Sequence, residues 1–416
     1  MRGRLAQSTL RTALMLGLRI VTQAATLILL SRLLAPATYG DYASAASLAV
    51  VLGTLPSMGS GYILLARAAV DKTTVAHTWR YAWPLTLVLG LFLLVIYAGF
   101  GRYITGNTGF SVEILVFLGM AELIFNPLTM LFSFIMQGCE KVATSQFLQW
   151  LPLLLRAIAV LACFNLPQSD RLTGFAGLQL IASFLGCGAG LIVVRRLVSL
   201  TWRPRFMTRQ ELRLGASYAA MLLVAYNPSE LDKIVAVRSL GAHGAGIYTA
   251  ASRILGAFAT PIAALLLAAQ PRLLRHSKDT HLQNRRLIGI IGLIALAWGI
   301  AGTFLFASFH PLIPWLLGNA YAETGKLVPW LAITMPFLTL RMAAGGILVA
   351  LGKPLERLLF ELSGAMFLIT GIVCLTPILH TIGLIIAVIG SELSMMIIGW
   401  WRIQKNVRRL DFACID

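Results

Sequence analysis

RLLAPATYGDYASA occupies residues 32–45, and RSLGAHGAGIYTAA occupies residues 238–251. The two stretches share residues at one constant spacing, about half the chain apart. Chance similarity between two short loops rich in Gly and Ala is the alternative. Repetition at this spacing predicts two similar halves in tandem, an organisation common in transporters. The shared residues are Arg32, Leu34, Gly40, Tyr42 and Ala45, which recur as Arg238, Leu240, Gly246, Tyr248 and Ala251.

The composition is that of a membrane protein. Hydrophobic residues make up 58% of the 416 residues and charged residues 12%, whereas about a quarter of a soluble chain is charged. Apolar runs such as LVLGLFLLVIYAGF (residues 87–100) do not alternate with polar residues, which excludes a transmembrane β-barrel. We therefore predict an all-α integral membrane protein of about twelve transmembrane helices. The predicted spans are 11–31, 41–65, 81–101, 112–136, 146–165, 174–194, 214–236, 245–268, 287–309, 325–349, 356–376 and 382–400.

The spans divide evenly between the two halves. Six helices per half give both copies the same orientation, so we expect two lobes related by a pseudo-two-fold axis along the membrane normal. The predicted N-terminal lobe is 1–195, followed by a basic cytoplasmic linker at 196–213. The predicted C-terminal lobe is 214–416 and ends in a short basic cytoplasmic tail.

Basic residues show the orientation of the chain. The loops on one side hold about four times as many Lys and Arg residues as those on the other, which places both termini in the cytoplasm. Basic loops lying on an anionic leaflet also account for the net charge of +18, without nucleic acid as a partner. The side with fewer basic residues carries Arg32, Arg102, Arg171, Lys233, Arg238 and Lys326.

The sequence lacks the usual signals of an enzyme. Loops are too short for a soluble catalytic domain, and GILVALGKP (residues 346–354) lacks both the glycine spacing of a phosphate-binding loop and a Ser or Thr after its Lys. The five cysteines are scattered and no His/Asp cluster occurs, so we expect neither a metal nor another cofactor. Transport is the function that remains.

Charged residues inside predicted spans are costly and tend to face the interior of the bundle. Arg19 shares a helical face with Gln23 and three threonines, while Arg156, Arg253 and Arg341 lie within later spans. Guanidinium groups bind phosphate through paired hydrogen bonds, so these residues predict a cationic substrate cavity. The alternative for Arg253 and Arg341 is that they reach an interface or form structural ion pairs with Glu122 or Glu392.

Acidic residues in or near the spans have two interpretations. Glu122, Asp232 and Glu392 are candidates for ion coupling, and structural ion pairing is the alternative for each.

Pro56 and Pro261 lie almost at matching positions in the two halves, and we expect each to kink its helix.

Three motifs resemble those of the polysaccharide transporter family, the O-antigen and exopolysaccharide flippases. This family lies in the superfamily of the multidrug MATE exporters and the lipid II flippase. The resemblance covers nearly the whole chain. Its motifs are RLLAPATYGDYASA (32–45), SELDKIVAVRSLGAHGAGIYTAASRI (229–254) and LIPWLLGNAYAETGKLVPWLAI (312–333).

The resemblance implies movement of undecaprenyl-pyrophosphate-linked oligosaccharide across the bacterial inner membrane, for surface polysaccharides such as lipopolysaccharide. It implies membrane lipids, a polysaccharide polymerase and chain-length proteins as partners. A cation-coupled drug exporter of the same fold is one alternative, although organic cations favour an acidic cavity. A membrane glycosyltransferase or polymerase is the other alternative.

Overall fold

The computed structural model describes residues 2–105, 110–226, 228–279 and 281–412. Within these ranges the chain consists of helices and connecting turns, with no strand. The helices are α1 (Arg2–Leu33), α2 (Pro36–Leu52), α3 (Ser60–Val70), α4 (Thr74–Thr105), α5 (Val112–Gly119), α6 (Asn126–Gly138), α7 (Val142–Cys163), α8 (Arg171–Arg195), α9 (Arg209–Tyr226), α10 (Pro228–Asp279), α11 (His281–Phe309), α12 (Ile313–Leu317), α13 (Ala322–Ala332), α14 (Met335–Ala350) and α15 (Pro354–Phe412).

Apolar helices long enough to cross a membrane dominate the structure. By length and composition, eight stretches of the described chain meet this requirement, and α13 and α14, with the short turn before α13, form one further pair bent by 59°. The stretch 355–407 is 53 residues long, far more than the roughly 20 residues that one span needs. It changes direction at His380, whose φ is 49°, between the predicted spans 356–376 and 382–400. The predicted all-α membrane architecture is confirmed.

The predicted span 41–65 is not one continuous helix. It is divided into α2 and α3 by the turn at residues 53–59, which contains Pro56. The expected kink at Pro56 is therefore a complete break. In α10 the backbone departs from helical angles at Gly241 and stays helical at Pro261, so a kink at Pro261 remains a prediction. The predicted span 214–236 includes residue 227, which lies outside the described residues.

The repeated sequence marks equivalent turns in the two halves. The first copy contains the α1–α2 junction, where Ala35 has an extended backbone, and the second contains the break at Gly241, at the position equivalent to Ala35. Gly241 has a φ of 72°, a conformation that glycine adopts without steric cost. The shared tyrosines, Tyr42 and Tyr248, are both fully buried. Each copy therefore carries the turn between two helices and a tyrosine that packs in the interior.

The chain forms two compact units, residues 1–238 and 239–416. In the first, Trp79, Phe132 and Met136 belong to a buried apolar cluster, and in the second Ile347, Phe360 and Met395 belong to another. Helix α9 belongs to the first unit because Tyr218 stacks on Tyr62, with ring centroids 5.2 Å apart. The six-helix lobes divided at residues 196–213 remain a prediction.

A close backbone approach fixes the turn between α2 and α3. Gly59 has a φ of 68°, and a Cβ at this position would lie 2.4 Å from the carbonyl oxygen of Gly215 in α9. Both the backbone angle and the available space therefore require glycine. The turn and α9 pack against each other because no side chain intervenes.

An ion-pair cluster ties α9 and the segment before it to the C-terminal part of α3. The Glu211 carboxylate accepts hydrogen bonds from Arg205 Nη2 at 2.6 Å and Arg67 Nη2 at 3.0 Å. Thr208 caps α9: its hydroxyl accepts from the Glu211 amide, while its own amide donates to the Glu211 carboxylate. We call Glu211, Arg67, Arg205 and Thr208 the Glu211 cluster.

Gly59→Ala should destabilise the protein by about 2 kcal/mol or more, because alanine disfavours a positive φ and its methyl group has no space. The midpoint of thermal unfolding of the purified protein measures this. Gly17→Ala in α1 is the matched control, since a Cβ there would meet nothing within 4 Å. Equal midpoints for the two variants would contradict the close approach at Gly59.

Glu211→Gln should cost about 2 kcal/mol, because two guanidinium groups lose a charged acceptor. Burial opposes ionisation of Glu211, yet hydrogen bonds from Arg205 and Thr208 hold its pKa at about 2, below the ordinary 4.5. A lowered pKa in the folded state stabilises the fold above the unfolded pKa. The stability gap between wild type and Glu211→Gln should therefore be constant above about pH 5 and close toward pH 2.

Thermal unfolding at a series of pH values measures this gap. The control is Glu323→Gln, because its ion pair with His243 is mostly exposed and contributes little. A gap between wild type and Glu211→Gln that stays constant down to pH 2 would show that the carboxylate is not held ionised by its neighbours.

Candidate functional site

Arg19 lies in a polar contact between α1 and α7. Its Nη1 donates to Gln149 Oε1 at 2.8 Å, and Gln149 Nε2 donates to the Ser133 hydroxyl at 2.7 Å. One turn further along α1, the Thr22 hydroxyl accepts from Trp150 Nε1 at 2.9 Å. The polar face predicted for α1 is therefore partly used to bind α7. Gln23, the other residue predicted to bind substrate from α1, is exposed.

A chain of hydrogen bonds joins Arg156 to Glu122. Arg156 Nη2 donates to the Tyr42 hydroxyl, which donates to Gln179 Oε1 at 3.2 Å. Gln179 Nε2 donates to Glu122 Oε1 at 3.0 Å, and Asn126 donates to the other carboxylate oxygen at 2.5 Å. We call these five residues the Arg156 network. It links one cationic and one anionic side chain through neutral polar groups, across α2, α7, α8 and the segment between α5 and α6.

The backbone at Glu122 is unusual. Residues Met120–Phe125 form a π-helical turn between α5 and α6. Such turns contain one extra residue and are frequent at functional sites. Gly53 allows a close approach here, since a Cβ on it would lie 2.5 Å from the Glu122 carbonyl oxygen. The turn thus places Glu122 beside α8 and against the turn that ends α2.

Two aromatic rings lie near the Arg156 guanidinium. Its Cζ lies 5.9 Å from the ring centre of Tyr42 and 5.7 Å from that of Phe175. Its Nε is buried and has no hydrogen-bond acceptor, and among the described residues its guanidinium forms no ion pair. Gln149 and Arg156 lie seven residues apart on α7 and therefore share one face of that helix. Arg19 contacts this face through Gln149. This face is the candidate functional site of the first unit.

The other predicted residue of the first unit, Asp232, lies next to Lys233 in a buried part of α10. Lys233 Nζ and Asp232 Oδ1 are 3.3 Å apart, and both side chains are buried. The neighbouring Glu230 accepts a hydrogen bond from Ser47 of α2 at 2.5 Å. Helix α2 thus contacts the Arg156 network through Tyr42 and this acidic stretch through Ser47.

The second unit pairs its buried charges directly. Arg341 Nε donates to Glu392 Oε2 at 2.7 Å, and the two residues are only 7% and 8% exposed. Arg357 pairs with Glu361 one helical turn away at 2.9 Å. Arg341 is therefore neutralised by a carboxylate, which matches the structural ion pair considered as an alternative for it. Arg253 is half-buried in α10.

Sequence reasoning did not identify Gln149, Gln179 or Asn126 as partners of the charged residues. Their amides are uncharged, so a search for charged residues within spans does not identify them, and they carry no spacing signal. Tyr42, in contrast, was marked by its repetition as Tyr248. Its burial and its contact with Arg156 give that repetition a structural reason.

Tyr42→Phe should destabilise the protein by about 1–3 kcal/mol, because Arg156 loses an acceptor and Gln179 a donor in a buried site. The midpoint of thermal unfolding reports the change. Tyr81→Phe is the matched control, since the Tyr81 hydroxyl is buried without a hydrogen-bond partner. Similar losses in both variants would mean that the hydroxyl of Tyr42 does not hold the network.

Glu392→Gln should cost about 3–5 kcal/mol, since removing one member of a buried ion pair leaves an uncompensated charge. The double variant Arg341→Met/Glu392→Leu should unfold at a higher temperature than Glu392→Gln. A double variant less stable than both of its single variants would contradict a mainly structural pair.

A family model described as polysaccharide biosynthesis protein matches residues 5–276, which is more than half of the chain. The chain belongs to this polysaccharide biosynthesis family. The predicted resemblance is confirmed, together with the transporter fold of about twelve transmembrane helices. No curated protein sequence matches the chain significantly.

Several solved structures of similar fold are described as MATE transporters. An inward-facing multidrug resistance MATE family transporter of the MOP superfamily superposes with a TM-score of 0.77 at 15% identity, covering 94% of this chain and 95% of the other. A MOP superfamily transporter from Pyrococcus furiosus, described as having a binding pocket of reverse polarity, gives 0.70 at 16% identity, covering 97% and 96%. At these identities the similarity shows the fold alone.

Proposed function

We propose that this chain is a flippase that moves undecaprenyl-pyrophosphate-linked oligosaccharide across the bacterial inner membrane. Alternating access to the two sides would carry the substrate, and the product would enter surface polysaccharide biosynthesis. The family match supports the substrate class, and the MATE-type fold supports transport rather than catalysis. Cytoplasmic termini follow from the basic loops.

The observation that carries the proposal is the environment of Arg156. Its charge lies within a candidate membrane span, among neutral and aromatic side chains, and its buried Nε has no acceptor. Burying such a cation in an apolar bundle costs free energy, and residues retained at this cost commonly bind a substrate or an ion. A pyrophosphate would supply charged acceptors in the paired geometry that a guanidinium favours.

Arg19 and Gln23 extend the same binding region. Arg19 shares the α7 face with Arg156 through Gln149, and Gln23 is exposed one turn further along α1. In the second unit we keep Arg253 as the substrate-binding candidate, because Arg341 is neutralised by Glu392. The proposed head-group contacts of the first unit are therefore Arg19, Gln23 and Arg156, and Arg253 is the proposed substrate contact of the second unit.

Glu122 is the proposed ion-coupling residue. It is the one predicted acid that is joined to Arg156 by hydrogen bonds, so a proton on Glu122 would change the acceptor of Gln179 and, through Tyr42, the position of Arg156. Asp232 and Glu392 each have a basic side chain beside them, which favours a structural role.

A drug exporter is the second candidate, because two solved structures of similar fold are described as multidrug resistance transporters. Arg156 counts against it, since an unpaired cation repels organic cations.

We further propose a polysaccharide polymerase and chain-length proteins as partners in the membrane.

Arg156→Ala should weaken binding of a lipid-linked oligosaccharide, because loss of a charge-assisted hydrogen bond costs about 1.5–3 kcal/mol, or about tenfold to a hundredfold. The assay uses proteoliposomes that contain a fluorescent lipid-linked oligosaccharide and a quencher that does not cross membranes. The half-saturating substrate concentration for flipping is measured. Arg285→Ala, which removes an exposed arginine near the start of α11, is the matched control.

The substrate and the residue are tested separately. If wild type flips the lipid-linked oligosaccharide and Arg156→Ala has the same half-saturating concentration, Arg156 does not bind the head group, but the proposed substrate stands. Wild-type protein that flips no lipid-linked oligosaccharide but exports an organic cation would establish the drug exporter instead.

A further inference from the structure

Phe206 is 98% exposed in the segment that precedes α9. Its neighbours on both sides are held in place. Arg205 pairs with both carboxylate oxygens of Glu211 and donates from Nε to the His77 carbonyl, while Met207 packs against the apolar cluster of the first unit. Because the backbone is fixed on both sides, Phe206 is held outward. Leu197 and Trp202 of the same segment are also exposed, and a group of exposed apolar side chains indicates a surface that binds a membrane or another molecule.

Tryptophans place this segment at the level of a membrane surface. Trp202 packs edge-on against Trp79 and Trp83, with ring centroids 5.7 and 5.5 Å away. Trp79 and Trp83 lie in the first turns of the candidate span Thr74–Tyr103. Tryptophan collects where acyl chains meet head groups. The Arg195 guanidinium lies over the Trp202 ring, 5.1 Å from its centre, so positive charge is present at the same level.

Positive charge surrounds Phe206. Glu211 is the one acidic residue between residues 195 and 214, and its carboxylate is occupied by Arg67 and Arg205. Arg209 lies in the first turn of α9, where the helix dipole disfavours a cation. An external anion would offset that repulsion. Besides Arg195, the exposed arginines of this stretch are Arg196, Arg203, Arg209 and Arg213.

We propose that these four arginines, Trp202 and Phe206 form a docking surface for anionic lipid head groups. The arginines bind lipid phosphates, and the Phe206 ring enters the boundary between head groups and acyl chains. An amphipathic basic segment with exposed aromatic residues binds membranes in this way. The Glu211 cluster holds the surface in position, so lipid binding there stabilises the fold of the first unit.

The test measures the midpoint of thermal unfolding of the full chain in detergent micelles. Phosphatidylglycerol is added in one arm, phosphatidylcholine in a second, soluble glycerol phosphate in a third and a poly-glutamate peptide in a fourth. We expect the midpoint to rise with phosphatidylglycerol alone. The rise should be largely lost in Phe206→Ser and in Arg209→Gln/Arg213→Gln, and retained in Phe206→Trp and in Arg209→Lys/Arg213→Lys.

Four results would overturn the proposal. A rise equal in wild type and Phe206→Ser would show that the ring has no role, and absence of any rise would remove lipid binding. An equal rise with glycerol phosphate would indicate a phosphate site, and one with poly-glutamate would indicate an acidic protein partner. Because the measurement does not involve transport, none of these results bears on the proposed flippase function.

Discussion

A charge enclosed by apolar helices must find acceptors, and this requirement organises the interior of the protein. In the first unit, Arg156 reaches Tyr42, which is connected through Gln179 to Glu122. Every link is a hydrogen bond between side chains of different segments, so the network fixes the relative positions of α2, α7 and α8. Loss of one member would leave its neighbours without partners in a medium where water cannot replace them.

The two units meet this requirement differently. Arg341 and Glu392 neutralise each other directly in the second unit. In the first, the carboxylate and the guanidinium are separated by two neutral side chains, so each keeps part of its hydrogen-bonding capacity. A direct pair is suited to holding helices together. A separated pair is suited to responding when an anion arrives, because the arginine has an unused donor.

The fold was largely predictable from the sequence, and the partners of its charges were not. Hydrophobic length and the repeat around Tyr42 and Tyr248 were sufficient for the helical membrane architecture. Span 41–65 appeared continuous because hydropathy does not detect that Gly59 and Gly215 bring two backbones together. Charged residues within spans identified Arg156 and Glu122. The amides between them could not be predicted, because which helices are neighbours depends on tertiary packing.

The π-helical turn at Met120–Phe125 adds a mechanical property to the first unit. It holds one residue more than a regular helix would, and each residue of a helix turns the chain by about 100°. Tightening this turn into regular helix would rotate the Glu122 carboxylate away from Gln179 without unfolding α5 or α6. A change in the hydrogen-bond register of this single turn would therefore rotate Glu122 about the helix axis, at the point where its carboxylate contacts the Arg156 network.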